Sequence, residues 1–194
     1  MLLFLSLLQP VMAMSIVGED AGAAVPQLPT LLLMTLNISS NVRKSFELLC
    51  TFIETHRPDF LAVTETGLRQ WDLDVNGAFW RSGVMGYTAF HLVPKPDVTT
   101  GRTRRGISLW VRDVWVSRFA VNTPVPLDEL VSIHVKIETS SIPLHLVACY
   151  GEPASGRARE VYWERFRSWF AQEGLHRGQS RVIVFGDLNV APDP

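Results

Sequence analysis

Four apolar stretches of this chain each stop on a residue able to hold a cation or a phosphate. They end at Asn37, Glu65, Tyr150 and Asp187, with Asn189 following the last. One such ending would mean little, because strands commonly stop at polar residues. Four in one chain predict strand ends that converge on a single pocket, in the crevice where α/β folds bind their ligands. Carboxylates and amide carbonyls are hard oxygen donors, the ligand type of Mg²⁺ or Mn²⁺. Such ions keep several waters and share their coordination with substrate phosphate. Cys50 and Cys149 lie inside apolar runs, far from any Cys/His cluster, so a zinc site is not expected.

The elements that must position these residues follow from periodicity. Leu31 to Asn37 reads as a strand, and Ser39, Ser40 and Asn41 offer N-caps for a helix through about Thr55. Phe46, Leu49, Cys50 and Ile53 share one face of that helix. Pro58 stops it, and Asp59 to Glu65 is a buried strand. Residues 67–86 read as an irregular aromatic loop with some helix, Tyr87 to Leu92 as a short strand, and residues 94–106 as a loop rich in turn formers and arginine. Ile107 to Arg112 and Val114 to Phe119 are expected to be strands. Val131 to Glu138 alternates, with Val131, Ile133, Val135 and Ile137 facing a core and Ser132, His134, Lys136 and Glu138 facing water. A strand from Ile142 to Tyr150 and an amphipathic helix from Arg157 to Gly174 come next; Tyr162, Phe166, Trp169 and Phe170 line one side of the helix. Val182 to Phe185 reads as a strand buried on both faces. Mixed strand order of this kind predicts an α/β or α+β sandwich with mixed sheets.

The 194 residues suffice for one core-bearing domain, here 31–194, preceded by an apolar leader and flexible linker over 1–30. Residues 1–8 resemble the apolar part of a signal peptide but lack the basic segment that should precede it. They are also too short and interrupted for a transmembrane helix, so a membrane partner is not expected. Both cysteines read as buried free thiols suited to a reducing compartment, which points to an intracellular rather than secreted protein. A net charge of −1 provides no global attraction to nucleic acid, although a local patch would suffice. No stable protein partner can be inferred.

Five motifs occur in order: Leu33-Met-Thr-Leu-Asn37, Pro58-Asp-Phe-Leu-Ala-Val-Thr-Glu65-Thr66, Gly106-Ile-Ser-Leu-Trp110, His145-Leu-Val-Ala-Cys-Tyr150 and Val184-Phe-Gly-Asp187-Leu-Asn189-Val190. Together they resemble the endonuclease/exonuclease/phosphatase superfamily, the deoxyribonuclease I-like fold. The resemblance implies a four-layer α/β sandwich and Mg²⁺- or Mn²⁺-dependent phosphoester hydrolysis. By matched position it makes Glu65 the principal metal ligand and Asn37 a supporting one. Tyr150 would hydrogen-bond the phosphate, Asp187 would position or activate water, and Asn189 would steady the scissile phosphate. Val63-Thr-Glu-Thr-Gly-Leu68 is similar to endonuclease domains of non-LTR retrotransposons, which hints at DNA nicking.

The sequence also departs from that pattern. The family ends in a Ser-Asp-His segment that completes its proton-transfer and metal machinery, and no Asp-His pair occurs here. None of the five histidines stands where the family base would: His134 faces water, His145 is a structural mid-strand residue, and His56, His91 and His176 read as surface or loop. The expectation is therefore a C-terminally incomplete form of the fold, poorly stable and inactive alone. Thr64 replaces a Gln often found before the Glu, and Pro153 is spaced unusually from Tyr150. Arg102, Arg104 and Arg105 could grip nucleic-acid phosphates or form a solvated turn. Arg157, Arg159, Arg165 and Arg167 are interleaved with Glu160 and Glu164, which favours local ion pairs. Among the tryptophans that could stack bases, Trp110 reads as core, whereas Trp71 and Trp80 lie in a loop. The primary expectation is a metal-dependent endonuclease on DNA. The alternatives are a phosphatase or phosphodiesterase on lipid or inositol phosphates, and a non-catalytic remnant of the fold.

Overall fold

Two sheets carry the predicted strand ends. The computed structural model describes residues 13–14, 31–38, 42, 45–93, 106–118, 125–127, 131–138, 142–151, 156–175 and 180–189. The first sheet contains Ala13–Met14 (β1), Leu31–Asn37 (β2), Phe60–Thr64 (β3), Tyr87–Leu92 (β4) and Ile107–Arg112 (β5), in the order β1-β2-β3-β5-β4. The second contains Val125–Leu127 (β6), Ser132–Ile137 (β7), Leu144–Tyr150 (β8) and Arg181–Asp187 (β9), in sequence order. Each sheet has one parallel pair bridged by a helix. Phe46–His56 (α1) joins β2 to β3, and Arg157–Gln172 (α4) joins β8 to β9. The parallel registers set Asn37 beside Thr64 and Tyr150 beside Asp187, so both pairs finish level at one end of the molecule.

The sheets pack face to face. Leu33, Phe60, Ala62 and Leu109 of the first meet Ile133, Val135, Leu146, Ala148 and Phe185 of the second in one buried cluster. The outer face of the first sheet lies under α1 and Gln70–Ser82 (α2), with Leu49, Ile53 and Trp80 against Leu61, Val63 and Trp110. On the far side α4 sets Tyr162 and Phe166 over Val147 and Cys149. Helix, sheet, sheet and helix give the four-layer sandwich that the resemblance implied. No helix among the described residues is long and apolar enough to cross a membrane.

Several local expectations change. Residues 113–118 form a helix (α3, Asp113–Arg118) rather than the strand expected from Val114 onward. The β4/β5 ladder ends with Tyr87 opposite Arg112, so a longer strand would have no partner, and β-propensity depends on having one. The Asp113 amide instead donates to the Gly86 carbonyl at 2.9 Å, and the chain coils to send the Trp115 indole N–H to Asp59 at 2.8 Å. The expected aromatic loop at 67–86 is mostly α2, kinked at Asn76. Its start is fixed by Asp72, whose carboxylate accepts the Arg69 amide at 2.8 Å. Trp80, expected in a loop, is buried in the outer core, which removes it as a base-stacking candidate, while Trp71 is 60% exposed.

The polar face of β7 is only partly open to water: Lys136 and Glu138 reach solvent as expected, whereas Trp169 of α4 packs on the His134 ring. Ser132 is buried, and His134 shares a hydrogen bond with His145, Nε2 to Nδ1, at 2.9 Å. His91, expected at the surface or in a loop, lies in β4 between the Ser108 hydroxyl and the Trp80 carbonyl, at 2.7 and 2.9 Å. Among the described strands β9 is the edge of its sheet, with Val182, Ile183 and Val184 only half-buried rather than enclosed on both faces. Cys50 and Cys149 are free thiols, and burial pushes Cys149 up to about 12, which makes it unreactive. The proposed caps Ser39, Ser40 and Asn41, the arginine loop, His176 and most of the leader and linker lie outside the described residues.

Candidate active site

Both parallel pairs deliver their final residues to the same rim. Asn37, the last residue of β2, donates its amide Nδ2 to Asp187 Oδ2 at 2.8 Å, across the two sheets. Glu65 follows β3 in a left-handed conformation, φ 57°, an uncommon state for a residue with a Cβ. The Tyr150 hydroxyl, from the opposite sheet, donates to Glu65 Oε1 at 3.1 Å. The Asp187 carboxylate accepts a second bond through Oδ1, from the backbone N–H of Asn189 at 3.2 Å. Asn189 is also left-handed, φ 49°, and its side-chain Nδ2 donates to the Gly151 carbonyl at 2.8 Å.

Backbone packing fixes this rim. The Gly151 amide donates to the Asp187 carbonyl at 2.7 Å, extending the β8/β9 ladder by one step. A Cβ at Gly151 would stand 2.2 Å from the Leu188 carbonyl oxygen, so only glycine fits there. Neither Gly151 nor its carbonyl role was singled out from the sequence, although a glycine directly after Tyr150 was the available signal.

Neutral donors (an amide, a phenol and a backbone N–H) thus aim at two carboxylates from opposite sheets. The donor set of Glu65, Asp187 and the Asn37 amide fits a hard cation, because Mg²⁺ takes one or two carboxylates and fills its shell with water and phosphate oxygens. Among the described residues no group of three or more His, Cys, Asp or Glu side chains is arranged to hold a metal. An all-protein cage of the calcium or zinc type is therefore not formed by them. All five residues expected from the sequence, Asn37, Glu65, Tyr150, Asp187 and Asn189, meet at this rim. Arg102, Arg104 and Arg105 lie outside the described residues.

The fold and the rim define a deoxyribonuclease I-like sandwich with an oxygen-rich site at its strand ends. Residues 34–194 match the Endonuclease/Exonuclease/phosphatase family, and the chain belongs to it. It is similar in structure to the AP endonuclease LMAP from Leishmania major, with a TM-score of 0.59 at 21% identity over 83% of this chain and 56% of that one. D. rerio TDP2 complexed with single strand DNA product gives 0.51 at 16% identity, over 84% and 62%. The endonuclease domain of TRAS1, a telomere-specific non-LTR retrotransposon, gives 0.50 at 16%, over 84% and 60%. The chain thus spans 56% to 62% of the length of these structures. No curated protein matches it in sequence.

Proposed function

We propose that this site belongs to a divalent-metal-dependent phosphodiester hydrolase, an endonuclease acting on DNA. The observation that carries the reading is the joining of Glu65 to Tyr150 and of Asn37 to Asp187 across the sheets, at 3.1 and 2.8 Å. Glu65 and Asn37 would hold Mg²⁺ or Mn²⁺. The bound ion would supply Lewis-acid polarisation of the phosphoryl group and neutralise its developing charge. Tyr150, by turning its hydroxyl from Glu65, and Asn189, through the amide hydrogen that Gly151 does not hold, would donate to phosphate oxygens as charge develops on them. Asp187, held at both oxygens, is the acceptor that orients and deprotonates the attacking water.

Support for a DNA substrate comes from the similar structures, two named as endonucleases and one bound to a DNA product. Arg102, Arg104 and Arg105, directly before β5, are suited to gripping backbone phosphates, which give most of the sequence-independent affinity. Metal binding reads the proposed ligands directly, whether or not turnover is observed. The test is Mn²⁺ titration followed by magnetic resonance, with and without nicked DNA, in wild type and Glu65→Gln. The reading expects the substitution to weaken Mn²⁺ binding at least about tenfold and to abolish any metal-dependent plasmid nicking. Unchanged Mn²⁺ affinity in Glu65→Gln, or metal-dependent preference for inositol phosphates over DNA, would overturn it.

A further inference from the structure

Three residues around the rim, none of them glycine, hold a left-handed backbone: Glu65, Asn189 and Val131, with φ of 57°, 49° and 44°. Among the described residues the only other one is Arg57, which closes the C-terminus of α1. Asn tolerates this conformation, and Glu65 carries the proposed metal site. Val131 has no such account. A β-branched side chain is a true outlier there, because its Cβ crowds the following carbonyl. Strain of this kind persists only where the surroundings over-determine it, and such places cluster at functional sites.

What over-determines Val131 is Tyr150. The β7/β8 register sets Ser132 opposite Cys149, so Val131 faces Tyr150 as the next pair along. The Val131 carbonyl accepts the Tyr150 amide at 3.1 Å. The Val131 carbonyl thus closes the β7/β8 ladder at the last residue of β8. The Val131 side chain is 3% exposed and belongs to the same inter-sheet cluster as Tyr150 and Phe185. One residue beyond Tyr150, the Gly151 amide is tied to Asp187 at 2.7 Å. The end of β8 is thus clamped from both neighbouring strands, and the phenol of Tyr150 projects from the clamp to Glu65.

We propose that Val131 is a positioning residue for the site: its strained backbone and buried side chain fix the end of β8, so that the Tyr150 hydroxyl stays on Glu65. The inference rests on Tyr150 belonging to the active site, but its test needs neither metal nor turnover. The full chain is prepared with ¹³Cζ-tyrosine, and the Tyr150 resonance is assigned with Tyr150→Phe. Val131→Gly should move that resonance toward its position in Glu65→Gln and speed exchange of the Tyr150 amide proton at least about tenfold. Val131→Ala, a milder change, should act in the same direction, and Val131→Ile should keep the wild-type signals. Val135→Ala, in the same strand and equally buried, controls for loss of core packing and should leave the Tyr150 resonance in place. An unmoved Tyr150 in folded Val131→Gly and Val131→Ala overturns the proposal, as does an equal shift in Val135→Ala. Should neither variant fold, a wild-type Tyr150 amide that exchanges as fast as exposed loop amides overturns it as well. Loss of Mn²⁺ binding or nicking bears on the hydrolase reading alone and leaves this result standing.

Discussion

Asn37 and Asp187 are 150 positions apart, and a 2.8 Å hydrogen bond joins their side chains from the last residues of β2 and β9. Each partner belongs to a different sheet, so the bond ties the sandwich together at the rim of the site. Replacing Asn37 by Ala leaves one Asp187 oxygen without its donor and should cost about 1–3 kcal/mol.

Asn37→Asp provides a sharper test, because it sets two carboxylates at hydrogen-bonding distance. Like charges that close repel unless a cation lies between them. The variant should melt below wild type in EDTA and recover when Mn²⁺ is added, giving a larger metal-dependent shift in Tm than wild type shows. Thermal melts with and without Mn²⁺ decide it. An equal shift in both proteins would separate Asn37 from the metal.

Gly186 lies where β9 runs beside β8, with φ 129°, and a Cβ there would stand 2.0 Å from the Cys149 carbonyl oxygen. No flexible side chain can yield in this contact, since the obstacle is backbone. Gly186→Ala should therefore push β9 off β8 and cost more than about 3 kcal/mol, in the range of the worst single substitutions. Gly86, with φ 81° and nothing within 4 Å, is the control: its Ala variant meets only the backbone penalty of a positive φ, about 1–3 kcal/mol. Urea unfolding of the pair measures the difference, and equal losses would mean that the approach of β9 to Cys149 is unimportant.

The histidines set an acid limit. Burial lowers His134 to about 4, with His145 and Lys136 adding to the effect. Burial also lowers His91 to about 4 and depresses His145, with Lys136 again contributing. The His134 and His145 rings lie 8° from parallel with nitrogens 2.9 Å apart, so a single proton serves the pair, and one ring must be a neutral acceptor. A base whose folded pKa is depressed leaves the unfolded chain holding more protons between the two values. Stability from these residues is thus complete above about pH 6.5 and falls as pH drops toward 4. His91→Phe should flatten part of that slope in urea titrations run across the window. A slope unchanged by the substitution would show that His91 is not kept neutral by the fold.

The strand ends were legible because each depends on a local contrast, an apolar run closing on a polar group, and motif order added which ends belong together. Asn37, Glu65, Tyr150, Asp187 and Asn189 were all readable that way. What escaped depends on partners distant in the sequence. Val114 and Val116 have strand composition, yet Tyr87 has already closed the β4/β5 ladder, so the segment coils instead. Alternation in β7 correctly gave the core-facing set of Val131, Ile133, Val135 and Ile137. It did not reveal that Trp169 of α4 would pack on His134, or that the β7/β8 register would set His134 against His145. The conformation of Val131 left no trace either, because nothing in a valine marks a left-handed backbone.

A last prediction separates stability from the site. Asp59 is 8% exposed just before β3, and both of its oxygens are in use. Oδ2 accepts the Leu32 amide at 2.9 Å, while Oδ1 accepts the Trp115 indole at 2.8 Å and faces Arg112 at 3.5 Å. An Asn there cannot replace it, since either orientation of its amide turns an N–H₂ toward another N–H donor. Asp59→Asn should therefore destabilise nearly as much as Asp59→Ala, by about 2–4 kcal/mol, because each leaves a buried donor unmet. Residue 59 lies at the opposite end of β3 from Glu65, so the folded fraction of either variant should bind Mn²⁺ with wild-type affinity. Urea unfolding and Mn²⁺ titration on the same samples test both halves. A fall in Mn²⁺ affinity that tracks the loss of stability would mean that the rim is not held rigidly by the strand ends but is coupled through β3 to the far side of the sheet.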